Sequence, residues 1–193
     1  MAQNEIKKVF IIGGSSGSFD VLLYLLSRLQ PLDKAVLIIV LHRRNGYDTA
    51  LTDVFSYRTG IVVKEVDEKD PLLPGFIYIA PADYHLLVEK DYTFSLDASE
   101  RINYSRPSID VCFETAAEAF GQQLIGILLS GSNIDGAHGL EAIKELGGTT
   151  IVQNPQTAES PFMPQQAINC GAADYILEPE EIAEFINGAV RKW

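Results

Sequence analysis

Cysteine is nearly absent. Cys112 and Cys170 are the only two among 193 residues, too few for a disulfide framework. Both have apolar neighbours, and both read as reduced filler in a cytosolic chain. Basic residues are scarce as well: 15 Lys and Arg against 26 Asp and Glu leave a net charge of −11. Nucleic acids and anionic membranes are bound through clustered lysine and arginine, so neither is expected as a general partner, although a local basic patch stays open. Long hydrophobic runs are missing. The longest, Ala35 to Leu41, falls far short of the roughly 20 residues that span a bilayer. The start, Met1-Ala2-Gln3-Asn4-Glu5, has no apolar leader core and no cleavage signal. Direct membrane insertion is therefore not expected, and the expected location is the cytoplasm. Histidine is limited to His42, His85 and His138. With no H-E-x-x-H and no close Cys/His spacing, no metal or other cofactor is expected. Internal repeats and low-complexity tracts are also lacking.

What is present is ordinary globular composition, with 47% hydrophobic and 21% charged residues, which excludes disorder and fibrous architecture for most of the length. At about 150 residues per domain the length predicts one domain. Folding a chain of this size buries about 70% of its unfolded surface, enough for a core without staples.

Short apolar runs alternate with amphipathic stretches. Val9–Ile12, Ala35–Leu41, Gly60–Val63, Phe76–Ile79, Leu124–Leu129, Thr149–Val152 and Tyr175–Leu177 read as strands. Phe19–Leu29, Asp48–Tyr57, Ile109–Phe120, Gly136–Leu146, Glu159–Asn169 (broken at Pro164) and a last segment from Pro179 read as helices. Leu86–Val88 and Tyr92–Phe94, separated by Glu89-Lys90-Asp91, predict an antiparallel hairpin. Near-continuous apolar strands between helices predict a doubly wound α/β fold: a mostly parallel sheet with helices on both faces, and the hairpin as an antiparallel edge. Glu178, Glu180 and Glu181 place favourable charge on the last helix's N-terminus.

In such folds the chemistry lies at the carboxyl ends of strands. The first strand runs into Gly13-Gly14-Ser15-Ser16-Gly17, which satisfies G-x-S-x-G. A nucleophile on a strand-to-helix turn needs small residues two before and two after it, which Gly13 and Gly17 provide. The same loop could be a plain glycine turn or a phosphate cradle. The second strand ends at His42-Arg43-Arg44, where a structural histidine and a solvated exit are the plainer readings. A later strand ends in Ser130-Gly131-Ser132-Asn133-Ile134-Asp135, where Asp135 could simply cap the helix after it. Together they supply a hydroxyl nucleophile, a base to take its proton and a carboxylate to orient the base. The order Ser, His, Asp is not that of the ordinary α/β-hydrolase.

With those residues in hand, the chain resembles the catalytic domain of the chemotaxis protein-glutamate methylesterases. The resemblance runs from Val9 to about Val190. It is carried by Ile12–Gly17, His42, Leu73-Pro74-Gly75, Tyr78–His85, Arg106–Val111, Leu129-Ser130-Gly131, Asp135-Gly136-Ala137, Gln153-Asn154, Met163-Pro164 and Ala167-Ile168, in family order. It implies a Ser–His–Asp triad that hydrolyses glutamate γ-methyl esters on the cytoplasmic signalling helices of methyl-accepting chemotaxis receptors, with methanol released. Glutamine deamidation often accompanies this activity in the family. Residue by residue, it implies Ser15 as nucleophile, His42 as base and then acid, and Asp135 as orienter. Oxyanion and elbow support is implied around Gly13, Ser16, Gly17 and Ser132. Residues 1–193 are then expected to form a single methylesterase-like catalytic domain, with its core from about 7 to 191 and no receiver domain. The chain departs from the family pattern at Arg43-Arg44-Asn45-Gly46, Ser132-Asn133-Ile134 and Gly14–Ser18. Two other readings stay open: a catalytically degenerate signalling-scaffold module that binds receptor helices, and a binder of phosphate ligands at Gly13–Gly17.

Overall fold

The structure is a computed structural model that describes residues 5–43 and 49–192. The first strand, β1 (Lys8–Gly14), leads into α1 (Phe19–Arg28), β2 (Ala35–Leu41), α2 (Thr49–Thr59), β3 (Val62–Glu65) and β4 (Phe76–Ile79). The hairpin β5 (His85–Val88) and β6 (Phe94–Asp97) follows, then α3 (Ile109–Phe120) and β7 (Leu124–Leu128). The chain closes with α4 (Ala137–Glu145), β8 (Thr149–Gln153), α5 (Phe162–Asn169), β9 (Tyr175–Leu177) and α6 (Pro179–Val190). Seven strands form one sheet in the order β3-β4-β2-β1-β7-β8-β9, and each pairing is parallel.

The strands are apolar on both sides because both faces are covered. Val9, Ile11, Val36, Ile38 and Val40 pack under α3, α4 and α5, against Cys112, Phe113, Leu140, Ile143 and Met163. The alternate residues Phe10, Ile12, Leu37, Ile39 and Ile127 pack under α1, α2 and α6, against Leu22, Leu25, Leu26, Phe55, Ile182 and Ile186. Burying one such side chain contributes about 1.5–3 kcal/mol. Truncating a fully enclosed one such as Ile11 to alanine costs about 2–5 kcal/mol.

The doubly wound class is as expected, but the hairpin does not extend the sheet. It forms a separate two-stranded sheet. Its apolar side chains explain this. Leu86, Val88 and Phe94 are buried in the core cluster shared with α3 and β4, the Phe94 ring lies 4.9 Å from that of Tyr78, and Val88 N donates to Thr115 Oγ1 on α3 at 3.1 Å. The hairpin thus covers the sheet as a helix would. Tyr92, expected in its second strand, lies in the turn with φ +62°.

Smaller differences have local causes. Pro164 does not break a helix. It occupies the first turn of α5, where its missing N–H has no helical acceptor to lose. Cys112 is buried as expected, but Cys170 is exposed, because it follows the end of α5. The expected start of α2 at Asp48 lies outside the described residues. Among the described residues, no helix is long and apolar enough to cross a membrane.

Candidate active site

The chain adds β2, β3 and β4 on one side of β1 and then places β7 on the other. That reversal is the topological switch point, where doubly wound sheets bind ligands. The three strands whose ends carry Ser15, His42 and the Ser130–Asp135 segment are β1, β2 and β7. They are neighbours in the sheet, with β1 central. Because they are parallel, their carboxyl ends share one rim. Ser15 N donates to Ser130 O at 2.9 Å, and His42 N donates to Gly14 O at 3.2 Å.

The elbow at Ser15 depends on small residues. A Cβ on Gly13 would lie 2.4 Å from Ile109 Cγ2. Gly17 has φ +77°, and a Cβ there would lie 2.5 Å from Glu159 Cβ, so both glycines of G-x-S-x-G are required by geometry. Ser18 N and Oγ both donate to Ser15 O, at 3.1 and 2.7 Å, which locks the turn ahead of α1.

His42 and Asp135 meet. His42 Nε2 donates to Asp135 Oδ2 at 2.7 Å. A carboxylate only accepts, so this bond puts the ring proton on Nε2 and leaves Nδ1 as the basic nitrogen. Nδ1 faces Ser105 Oγ at 3.4 Å. The imidazole side chain keeps 11% of its surface exposed and Asp135 none, so the pair runs from the cleft into the interior.

Asp135 does not cap its own helix, since the N-cap of α4 is Gly136. Its carboxylate sits instead at the start of α3. There Oδ1 accepts from Ser108 Oγ at 2.8 Å and Asp110 N at 3.1 Å, and Oδ2 also accepts from Ile109 N at 2.6 Å. Burial pushes this carboxyl up, but the bonds from His42 and from Ile109 N outweigh that and hold it below the usual carboxylate range. Asp110 returns the arrangement: its Oδ1 accepts from Gly136 N at 2.8 Å and Gly139 N at 2.7 Å, at the start of α4. Each helix is capped by a carboxylate from the other. Burial pushes the Asp110 carboxyl up to about 6, the backbone bond from Gly139 opposes this, and the neighbouring Asp135 charge adds to it.

Ser16 and Ser132, two of the expected support residues, are brought together, with their hydroxyls 3.4 Å apart. The other two histidines stand apart from this pair. His85 is buried in β5, where Nδ1 accepts from Ser108 N at 3.1 Å and Nε2 donates to Glu100 O at 2.9 Å. His138 is exposed and pairs with Glu141 at 3.1 Å. Among the described residues no group of three or more His, Cys, Asp or Glu is placed to hold a metal.

Ser105 had no sequence signal of its own, and Ser108 and Asp110 had one only within the Arg106–Val111 motif that carries the resemblance. Ser105 and Ser108 come from the approach to α3 and Asp110 from its first turn. Asn133 donates from Nδ2 to Ser105 Oγ at 3.1 Å and so ties the β7 loop to that approach. Arg43 is not a solvated exit: it pairs with Glu65 and donates to Ala80 O at 2.9 Å. Its neighbours Arg44 and Asn45 lie outside the described residues. Ser15, Ser16 and His42 line a cleft of about 720 Å³ together with Arg43, Asp83, Arg101, Tyr104, Ser105 and Arg106.

A serine elbow and a carboxylate-bound imidazole on one rim of a doubly wound sheet define a class, that of hydrolytic α/β enzymes. The comparisons with known proteins agree. The family model described as CheB methylesterase matches residues 10–186. A Leptospira interrogans protein, provisionally named a protein-glutamate methylesterase/protein-glutamine glutaminase, is 44% identical over 177 residues, which is 92% of each chain. The protein-glutamate methylesterase/protein-glutamine glutaminase of Hydrogenovibrio crunogenus is 34% identical over 188 residues, covering 96% of this chain and 50% of that one. The crystal structure of the Thermotoga maritima CheB methylesterase catalytic domain superposes with a TM-score of 0.88 at 32% identity, over 94% of this chain and 98% of that one. The chain belongs to the CheB methylesterase family.

Proposed function

We propose that residues 1–193 act as one catalytic domain that removes methyl groups from glutamate γ-methyl esters on the cytoplasmic signalling helices of chemoreceptors, releases methanol, and also deamidates receptor glutamine. The observation that carries this reading is the 2.7 Å bond between His42 Nε2 and Asp135 Oδ2, behind a cleft that His42 and Ser15 both line, in a chain of the CheB methylesterase family.

In this reading each group has one role. Ser15 Oγ attacks the ester carbonyl carbon as His42 Nδ1 takes the hydroxyl proton. Asp135 stays ionised and stabilises the imidazolium. Backbone N–H groups around Ser16 and Ser132 are assigned the stabilisation of the charge that develops on the carbonyl oxygen. His42 returns its proton to the methoxide oxygen as the C–O bond breaks, and methanol leaves. A water molecule then attacks the acyl-enzyme with His42 again as base, which frees the glutamate carboxylate and restores Ser15. With glutamine the leaving group is ammonia. An ester is the easier substrate, so an open cleft suffices when the target is a side chain on a helix. In the phosphate-cradle reading Ser15 N–H would face a ligand, but here it donates to Ser130 O, which favours the esterase.

A fluorophosphonate probe tests the proposal. We expect one labelled serine, Ser15, no label on Ser15→Ala, and no methanol release from methylated receptor by that variant. Ser105 Oγ also faces Nδ1, so the labelled peptide is to be sequenced. Label on Ser105, or none at all, would refute the assignment.

A further inference from the structure

We infer that the cleft selects its ester by an adjacent carboxylate on the substrate, held by Arg101 and Arg106. This rests on the esterase reading above. The chain is strongly acidic, at −11, yet three of its arginines line the cleft beside Ser15 and His42, and Asp83 is the one acid among the described lining residues. Arg43 is held by Glu65 and the Ala80 carbonyl. Arg101 and Arg106 share Asp83, at 3.4 and 4.0 Å. Both distances are long beside the roughly 2.7–2.9 Å of a good charge-assisted bond. Two guanidinium groups that share one carboxylate leave an excess of positive charge among the described residues of the cleft.

Both groups are placed to use it. Arg106 is anchored by donating from Nη1 to the carbonyls of Ala98 and Ser99, at 2.8 and 2.7 Å. Its Nε is buried with no hydrogen-bond partner among the described residues. Arg101 is 61% exposed, free to meet an incoming group. Between them in sequence, Tyr104 is 96% exposed on a left-handed backbone, φ +63°. This sets an apolar ring on the cleft wall for the flank of a helix. Planar forked guanidinium groups suit a carboxylate, and a charge outside the reacting centre contributes to binding and encounter more than to the chemical step.

The test uses helical peptides that carry one γ-methyl glutamate, with Glu, Gln or Lys three and four residues away, the spacing that shares a helix face. Arg106 ties down a loop, so the exposed Arg101 is the residue to change. We expect kcat/KM for methanol release to be roughly tenfold higher for the Glu-flanked peptide than for the Gln-flanked one, mostly through KM, with the preference fading in high salt. Arg101→Gln should reduce the preference and Arg101→Glu should turn it toward Lys. Anisotropy of the labelled peptides on Ser15→Ala reads the same preference without chemistry. Equal rates and equal binding for Glu- and Gln-flanked peptides, or an undiminished preference in both Arg101 variants, would overturn the inference and leave the esterase reading standing. Graded binding with no methanol release by the unaltered chain would overturn the esterase reading instead.

Discussion

Replacing Asp135 by asparagine keeps the side chain's shape and removes an acceptor. The aspartate accepts four hydrogen bonds, two on each oxygen. Asparagine has one carbonyl oxygen, and its NH2 must stand where the other oxygen was. If it faces Ser108 and Asp110, the hydroxyl of Ser108 can turn to accept, but Asp110 N is left without a partner. If it faces His42 and Ile109, Ile109 N is orphaned and the ring is driven to carry its proton on Nδ1, the nitrogen that must accept from Ser15. A buried N–H left unpaired costs about 1–3 kcal/mol, and losing an anion at a helix N-terminus costs up to about 2 kcal/mol more. Relief of the repulsion with Asp110 offsets part of this. The expected loss is about 2–4 kcal/mol, or roughly 10 °C in Tm for a chain of this length. The kcat should fall by about 10⁴ if the wrong tautomer dominates. Urea denaturation and methanol release measure the two effects. Because the Asp135 carboxyl is held below its ordinary range, its stabilising contribution is present at neutral pH and fades as the pH falls past that range. The stability gap between wild type and variant should therefore narrow in acid. A loss under about 0.5 kcal/mol together with a kcat within tenfold of wild type would refute the reasoning.

Asp110 has the opposite sign. With its folded carboxyl pushed up to about 6, the folded state binds its proton before the unfolded state does, so this group adds stability as the pH falls from above 6 toward about 4. Asp110→Asn should flatten that part of the stability–pH curve by on the order of 1 kcal/mol, which denaturation at several pH values would detect. Gly13→Ala should cost about 1–3 kcal/mol because its Cβ would meet Ile109 Cγ2 at 2.4 Å. Ile109→Ala, which removes that Cγ2, should recover part of that loss in a double-mutant cycle. Under native conditions iodoacetamide should modify the exposed Cys170 and spare Cys112, whose thiol burial pushes up. Intact mass with peptide mapping reads the result.

The legible parts of the site were those whose chemistry needs a local pattern. The elbow announces Ser15 because a sharp turn requires small residues on both sides of it, and those residues are contiguous. His42 and Asp135 were legible only as residues just past apolar strands. The local reading of Asp135, a cap on the helix after it, names the right chemistry and the wrong helix. Its carboxylate caps α3, which begins 26 residues earlier at Ile109. Ser105 and Arg101 carried no signal, and Asp110 and Arg106 were legible only as part of the Arg106–Val111 motif without a role, because each acquires its role from a partner brought by another segment. The hairpin was legible as a hairpin and misplaced as an edge. Alternation sets which side chains share a face, but not which surface that face will cover.

From the sequence alone come the alternation of apolar strands with amphipathic helices, the absence of staples and spans, and the glycine-framed serine. These follow from short-range sterics and from the need to bury apolar side chains, which act within a few residues. The tertiary structure alone decided that β2, β1 and β7 lie side by side. That order brings residues 15, 42 and 135 to one rim, and it allows two helices to exchange capping carboxylates. Strand order is settled by which apolar faces are buried together across the whole chain, a sum that no local stretch contains.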